Sequence, residues 1–149
     1  MQVLLTVLTT WLSIHLGIPP VEDHPKVKFA AAAEMAELHF AQAGAAADSG
    51  GREAAGFRHD LEAIYDDRSR TIYLPEGWTG ETPAEVSVLV HELAHHLQNT
   101  AELKYDCAEA REKPAYQAQE RWLELFDTSL ADEFAIDPMT LLVRTNCMH

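Results

Sequence analysis

The stretch His91-Glu92-Leu93-Ala94-His95 constrains this chain more than any other. Residues four apart on an α-helix lie one turn apart on the same face. Two imidazoles at that spacing can bind one metal ion, and a Glu beside the first can reach a metal-bound water without being a ligand. The flanking residues predict the helix. Val86, Leu89, Val90, Leu93 and Leu97 recur at helical spacing as an apolar stripe, and His91 and His95 fall away from Leu93 and Leu97. Thr82 reads as the N-cap, Pro83 as the first helical residue and Glu85 as N3, close to a capping box. The plain alternative is a buried helix with two incidental histidines. Two His and a Glu on an otherwise apolar helix would be costly to bury without a partner, which favours a metal-binding helix.

A chain of 149 residues is sized for one domain, here residues 1–149, with a core that needs no disulfide scaffold. The hydrophobic share of 47% is that of a globular chain. A net charge of −13 argues against nucleic-acid binding and against docking on anionic lipid. Two cysteines, Cys107 and Cys147, are too few for a disulfide framework. A bridge between them would pin the C-terminal tail onto the core and point to an oxidising compartment; otherwise they are ordinary thiols of a cytoplasmic protein. The compartment stays open between cytoplasm and periplasm. Val3 to Ile18 is apolar, but no Lys or Arg precedes Lys26 and no small-x-small cleavage site is clear. Leu4, Leu5, Leu8, Trp11, Leu12 and His15 fit one helical face, so the stretch reads as a mature amphipathic helix. It is short and polar for a membrane span, so no membrane insertion is expected.

Along the chain, helix one is expected over about residues 2–16, ending before Gly17-Ile18-Pro19-Pro20. Lys26 to Ala30 alternates like a short strand. Ala31 to Ala43 reads as an Ala-rich helix that serves packing and contributes nothing to a site. Gly44 to Gly56 reads as a loop or insertion, with His59 beyond it as a surface His or, less favoured, a ligand. Ala63 to Pro75 reads as a β-hairpin turning at Asp66-Asp67-Arg68-Ser69. Its second strand, Thr71 to Leu74, is expected at a sheet edge, where it could lay an extended peptide across the metal. After the metal helix, Cys107 to about Leu130 reads as one long helix with Pro114 as an irregularity. Leu130 to Ile136 is a short helix, and Asp137-Pro138 opens another.

Catalytic zinc takes three protein ligands and leaves one position for water. The metzincin pattern needs Gly three residues after the second His and His six after it; Gln98 and Ala101 stand there. His96 points about 100° around the helix from His95 and makes a poor third ligand. Glu112, on the following helix, is the leading candidate, because an antiparallel helix can deliver its carboxylate to the metal. Glu109, one turn earlier, is the main rival, and Glu120 lies farther along. A ligand set of His91, His95 and Glu112 is the arrangement of gluzincins, the thermolysin-like peptidases.

The run from His91 to Gln98, then Cys107, Glu112-x-x-Ala115-Tyr116-x-x-Gln119 and Trp122-Leu123, resembles a small uncharacterised bacterial family of gluzincin-like domains, DUF6647. Trp11-Leu12, Pro25 and Tyr73-Leu74-Pro75 fit it too, so the resemblance spans most of the chain. It implies an α+β fold, mostly helical: a small sheet, an active-site helix and a glutamate helix. The chain departs from the thermolysin pattern at two positions, with Arg111 in place of Asn before Glu112 and Tyr116 in place of Asp four residues after it. The carboxylate that supports the ligands in that pattern is therefore elsewhere or absent.

The expected chemistry is hydrolysis of a peptide or protein by a zinc-bound water, with Glu92 as general base and the Zn2+ polarising the carbonyl. An oxyanion would need a further donor. Tyr116, on the same helical face as Glu112, and Tyr105 are the two candidates, each with packing as its other reading. Two further classes stay open: a zinc-binding domain without turnover that acts through a protein partner, and a metal-free helical scaffold. Nothing in the sequence sets the oligomeric state.

Overall fold

A computed structural model describes residues 1–20, 22–45 and 62–148. The loop expected between Gly44 and Gly56, apart from its first two residues, and His59 lie outside the described residues. The described chain is α+β and mostly helical: α1 (Gln2–Leu16), β1 (Lys26–Ala30), α2 (Ala32–Ala45), β2 (Ile64–Asp66), β3 (Thr71–Pro75), α3 (Pro83–Thr100), α4 (Ala108–Glu124), α5 (Leu130–Phe134) and α6 (Pro138–Thr145). None of these helices is long and apolar enough to cross a membrane.

The element at the centre is α3. Thr82 Oγ1 accepts from the Glu85 amide at 3.1 Å, and Pro83 opens the helix without wasting a donor. The Glu85 carboxylate turns back to the preceding loop, accepting from the Thr79 amide at 2.6 Å and the Thr79 hydroxyl at 2.9 Å. A surface helix buries one stripe; α3 is buried almost all round, because the sheet covers one side and α1 and α4 the others. Leu89, Leu93 and Leu97 are fully buried along it. On α1, Leu5, Leu8 and Leu12 face inward at spacings of three and four and close the core from above. Gly17, at φ 68°, ends α1 in the left-handed conformation that a Cβ would oppose.

The hairpin forms as its turn residues require. Asp66 accepts from Ser69 Oγ at 2.6 Å and from the Arg68 amide at 3.3 Å, and β2 and β3 pair antiparallel with Tyr65 opposite Ile72. The expected position of β3 is corrected here. It is the central strand, in the order β1-β3-β2, with β1 pairing parallel to it from Lys26 opposite Thr71 to Ala30 opposite Pro75. Its backbone groups are spent on both sides, so it cannot add a peptide. The exposed edge beside the metal helix belongs to β2, and there the Tyr65 carbonyl already accepts from Gln42 Nε2 at 3.0 Å.

The long helix expected from Cys107 is shorter. Cys107 is its N-cap, α4 ends at Glu124, and a turn precedes α5. Asp137 caps α6 through the Thr140 amide at 2.7 Å, as its Asp-Pro start implies. Cys107 and Cys147 are disulfide-bonded, which ties the chain beyond α6 to the first turn of α4.

Candidate metal centre

His91 and His95 project from one face of α3 toward α4, where Glu112 meets them. Glu112 Oε1 lies 2.9 Å from His91 Nε2; its two oxygens lie 3.2 and 3.1 Å from His95 Nε2. One potential ligand atom from each residue falls within 4.8 Å of the others. A tetrahedral zinc with bonds of about 2.0–2.2 Å spaces its ligand atoms by roughly 3.3 Å, and the separations of Glu112 from both imidazoles are within a few tenths of an ångström of that.

The hydrogen bonds behind the imidazoles decide which nitrogen faces the centre. Ser87 Oγ donates to the Ala84 carbonyl at 2.8 Å and so accepts from Gln119 Nε2 at 3.1 Å. That orients the Gln119 carboxamide with Oε1 toward His91 Nδ1, 2.9 Å away. Gln98 Nε2 donates to the Arg111 carbonyl at 2.9 Å, which turns its Oε1 to His95 Nδ1 at 2.8 Å. Each Nδ1 therefore carries a hydrogen, so Nε2, which faces Glu112, bears a lone pair whenever the ring is neutral. Two lone pairs and a carboxylate facing one another need a positive charge between them, from protons or from a metal ion. The donor set, two imidazoles and a carboxylate, suits zinc.

Glutamine side chains thus steady both imidazoles. Sequence reasoning gave Gln98 and Gln119 no role, although the spacing carried a signal. Gln98 is one turn after His95, and Gln119 is two turns after Glu112, on the same helical faces. Arg111 supports the site as well. Its Nε donates to Gln98 Oε1 at 3.3 Å, and its guanidinium forms a two-point pair with Asp67, Nη1 lying 2.8 Å from Oδ2, which ties α4 to the β2–β3 turn.

Glu92 adjoins His91 but is not among the three converging residues. It is 8% exposed, and among the described residues its Oε2 has no hydrogen-bond partner. Burial pushes its carboxyl up to about 7, with the nearby Glu112 carboxylate adding to the rise and His91 opposing it. Glu112 behaves in the opposite way. Burial works to raise it, but the hydrogen bonds to His91 and His95 hold it well below the usual carboxylate range.

The other candidates separate cleanly. Glu109 lies in the first turn of α4 and is not one of the three converging residues. Glu120 Oε1 accepts from the Leu130 amide at 2.8 Å, holding the chain at the start of α5. His96 turns to the opposite side of α3, between the Tyr65 hydroxyl at 2.9 Å and the Asp23 carbonyl at 3.0 Å. Tyr105 borders a different depression, whereas Tyr116 packs edge-on against His91 with ring centroids 4.6 Å apart. The Tyr116 hydroxyl accepts from Arg144 Nη1 at 3.2 Å.

The centre opens onto a cleft of about 870 Å³. One wall is α3 and α4; α2 and β2 form the other, which corrects the expectation that the Ala-rich helix serves packing alone. His39 and Gln42 of α2 line the cleft, and His39 Nε2 lies 3.2 Å from Glu62 Oε2. The Glu62 carboxylate raises the His39 pKa against the effect of burial. Nothing in the Ala-rich pattern marked His39, because the partner that gives it a place is far away in sequence.

A family model described as a domain of unknown function, DUF6647, matches residues 1–149. No curated protein and no solved structure matches the chain.

Proposed function

We propose, from the premise that the chain belongs to the DUF6647 family and that the family brings no activity with it, that residues 1–149 form one zinc-dependent peptidase domain of gluzincin type. The observation that carries this reading is Glu92. Three converging ligands would serve a structural ion as well, but a structural ion has no use for a second carboxylate beside it. Glu92 is buried at the centre, with an oxygen that has no hydrogen-bond partner among the described residues. Leaving such an atom unsatisfied costs on the order of 1–3 kcal/mol, and a role as proton acceptor gives it a use.

Zinc held by His91, His95 and Glu112 would supply a Lewis acid and an acidified water. The rest falls to the chain. Glu92 Oε2 accepts the proton of the attacking water and returns it to the departing amine nitrogen. Gln119 and Gln98 hold the hydrogens on Nδ1 of His91 and His95, keeping Nε2 available as a ligand. Tyr116, which lines the cleft and packs against His91, would donate to the oxyanion that forms at the scissile carbonyl. The cleft has room for several residues of an extended peptide. The alternative, a zinc-binding domain that acts only through a protein partner, uses the same three ligands and leaves Glu92 without a task.

The test is cleavage of an unstructured protein and a mixed peptide library, read by mass spectrometry, with zinc-loaded parent and Glu92→Gln. The parent is expected to cleave, and the variant to keep its zinc and lose at least about a hundredfold in rate. Parental rates from Glu92→Gln would contradict the general-base role. Zinc bound without cleavage by the parent would favour the partner-binding alternative.

A further inference from the structure

We propose that Arg144 is a positioning residue for Tyr116, and that the Cys107–Cys147 disulfide holds it there, so that the donor facing the metal centre depends on the oxidation state of the bridge. The inference rests on the peptidase reading above and adds to it a device outside the ligand set.

Arg144 lies in the last turn of α6 and donates from Nη1 to the Tyr116 hydroxyl at 3.2 Å. A guanidinium has five donors and no acceptor. The Tyr116 oxygen must therefore accept on that side, and its single hydrogen is left for another direction. Among the described residues no acceptor takes it. Tyr116 lines the cleft, one turn along α4 from Glu112 and against the His91 ring. On the proposed mechanism that hydrogen would go to the substrate oxyanion. Losing Arg144 would free the phenol to spend its hydrogen elsewhere.

A covalent tie lies close to Arg144. Cys147 follows it by three residues and is bonded to Cys107, the N-cap of the helix that carries both Glu112 and Tyr116. Between the two cysteines, α6 packs along α4 with Leu141 against the core and Thr145 buried, and the bridge fixes the chain just beyond it. A dithiol reductant would pass two electrons and two protons to the bridge, breaking the S–S bond, leaving two thiols and becoming a disulfide itself. The chain three residues beyond Arg144 is then no longer bonded to the start of α4.

The experiment uses full-length zinc-loaded protein labelled with fluorotyrosine and read by fluorine NMR. Four tyrosines give four resonances, and Tyr116→Phe identifies the one of interest. Arg144→Ala is expected to move the Tyr116 resonance and leave the other three in place. Arg144→Lys, which keeps a donor, restores most of the parental position. Reduction of the parent reproduces the shift of Arg144→Ala while the zinc content per chain is unchanged. In peptide cleavage, Arg144→Ala lowers kcat about tenfold with little change in KM, and adds nothing in a Tyr116→Phe background. A Tyr116 resonance unmoved by Arg144→Ala overturns the positioning role, and one unmoved by reduction overturns the role of the bridge. The resonance decides both whether or not the parent cleaves a peptide, so failure of the peptidase reading is seen separately.

Discussion

Gln98 Oε1 lies 2.8 Å from His95 Nδ1, one turn along the same helix, and the Gln98 amide nitrogen is held 2.9 Å away by the Arg111 carbonyl of the next helix. The packing of α3 on α4 therefore sets which nitrogen of His95 faces the metal centre. Gln119 does the same for His91 from the opposite direction, anchored by Ser87. Gln98→Ala and Gln119→Ala are each expected to weaken zinc binding by about 10–100-fold. Competition with a chelator of known affinity measures it. Parental affinity in both variants would show that the carboxamides do not orient the ligands.

Glu92 gives metal-free protein a pH dependence of defined sign. Its carboxyl titrates at about 7 in the fold, against 4.5 ordinarily. Between those values the fold holds a proton that the unfolded chain has released. The associated stability is full below the ordinary carboxylate pKa and is lost as pH rises through about 7. Glu112, held below the ordinary range by the histidines, contributes in the other sense: its stability is present above the ordinary pKa and is lost as pH falls toward the lowered one. Glu92→Gln removes the first term alone. Metal-free Glu92→Gln is expected to be more stable than the parent at pH 8 by on the order of 1–3 kcal/mol, and close to it at pH 4.5. Thermal melts read this as a shift of about 2–4 °C per kcal/mol for a chain of this length. The same difference at both pH values would rule out burial of a titrating Glu92.

Much of this was legible in local pattern. Leu89, Leu93 and Leu97 at helical spacing, with Thr82-Pro83 ahead of them, marked α3 nearly to its ends. Asp66 and Ser69 marked the hairpin turn because Asp66 accepts from the Arg68 amide and from the Ser69 hydroxyl within four residues. The i and i+4 spacing of His91 and His95, and the antiparallel return of α4, were enough to nominate Glu112. The position of β3 was not legible, because nothing in Thr71 to Leu74 tells which strand lies on its far side. Parallel pairing with β1 is a long-range choice. The role of Gln98 and Gln119 was missed because an amide has no charge to draw attention, although each sits on the face of a ligand. His39 reaches the cleft only through the placement of α2 against β2, which an Ala-rich helix does not announce.

The Cys107–Cys147 bridge closes a span of 40 residues. On chain-entropy grounds a loop of that size stabilises by about 4 kcal/mol, and real bridges more often give about 2–4 kcal/mol. Reduction is expected to lower the midpoint of thermal unfolding by roughly 5–15 °C. Replacing both cysteines with Ser should cost somewhat less, because Ser is a stronger N-cap for α4 than the Cys107 sulfur that now accepts from the Ala110 amide at 3.4 Å. A midpoint unchanged by reduction would mean that the tail is held by packing alone.

The central claim is that His91, His95 and Glu112 together bind one zinc ion. The most direct measurement is zinc content per chain by elemental analysis, made on the parent, Glu112→Ala and Glu109→Ala after equal exposure to zinc and gel filtration. The predicted result is about one zinc in the parent and in Glu109→Ala, and a small fraction of that in Glu112→Ala. No zinc in the parent, or full occupancy in Glu112→Ala, would contradict it.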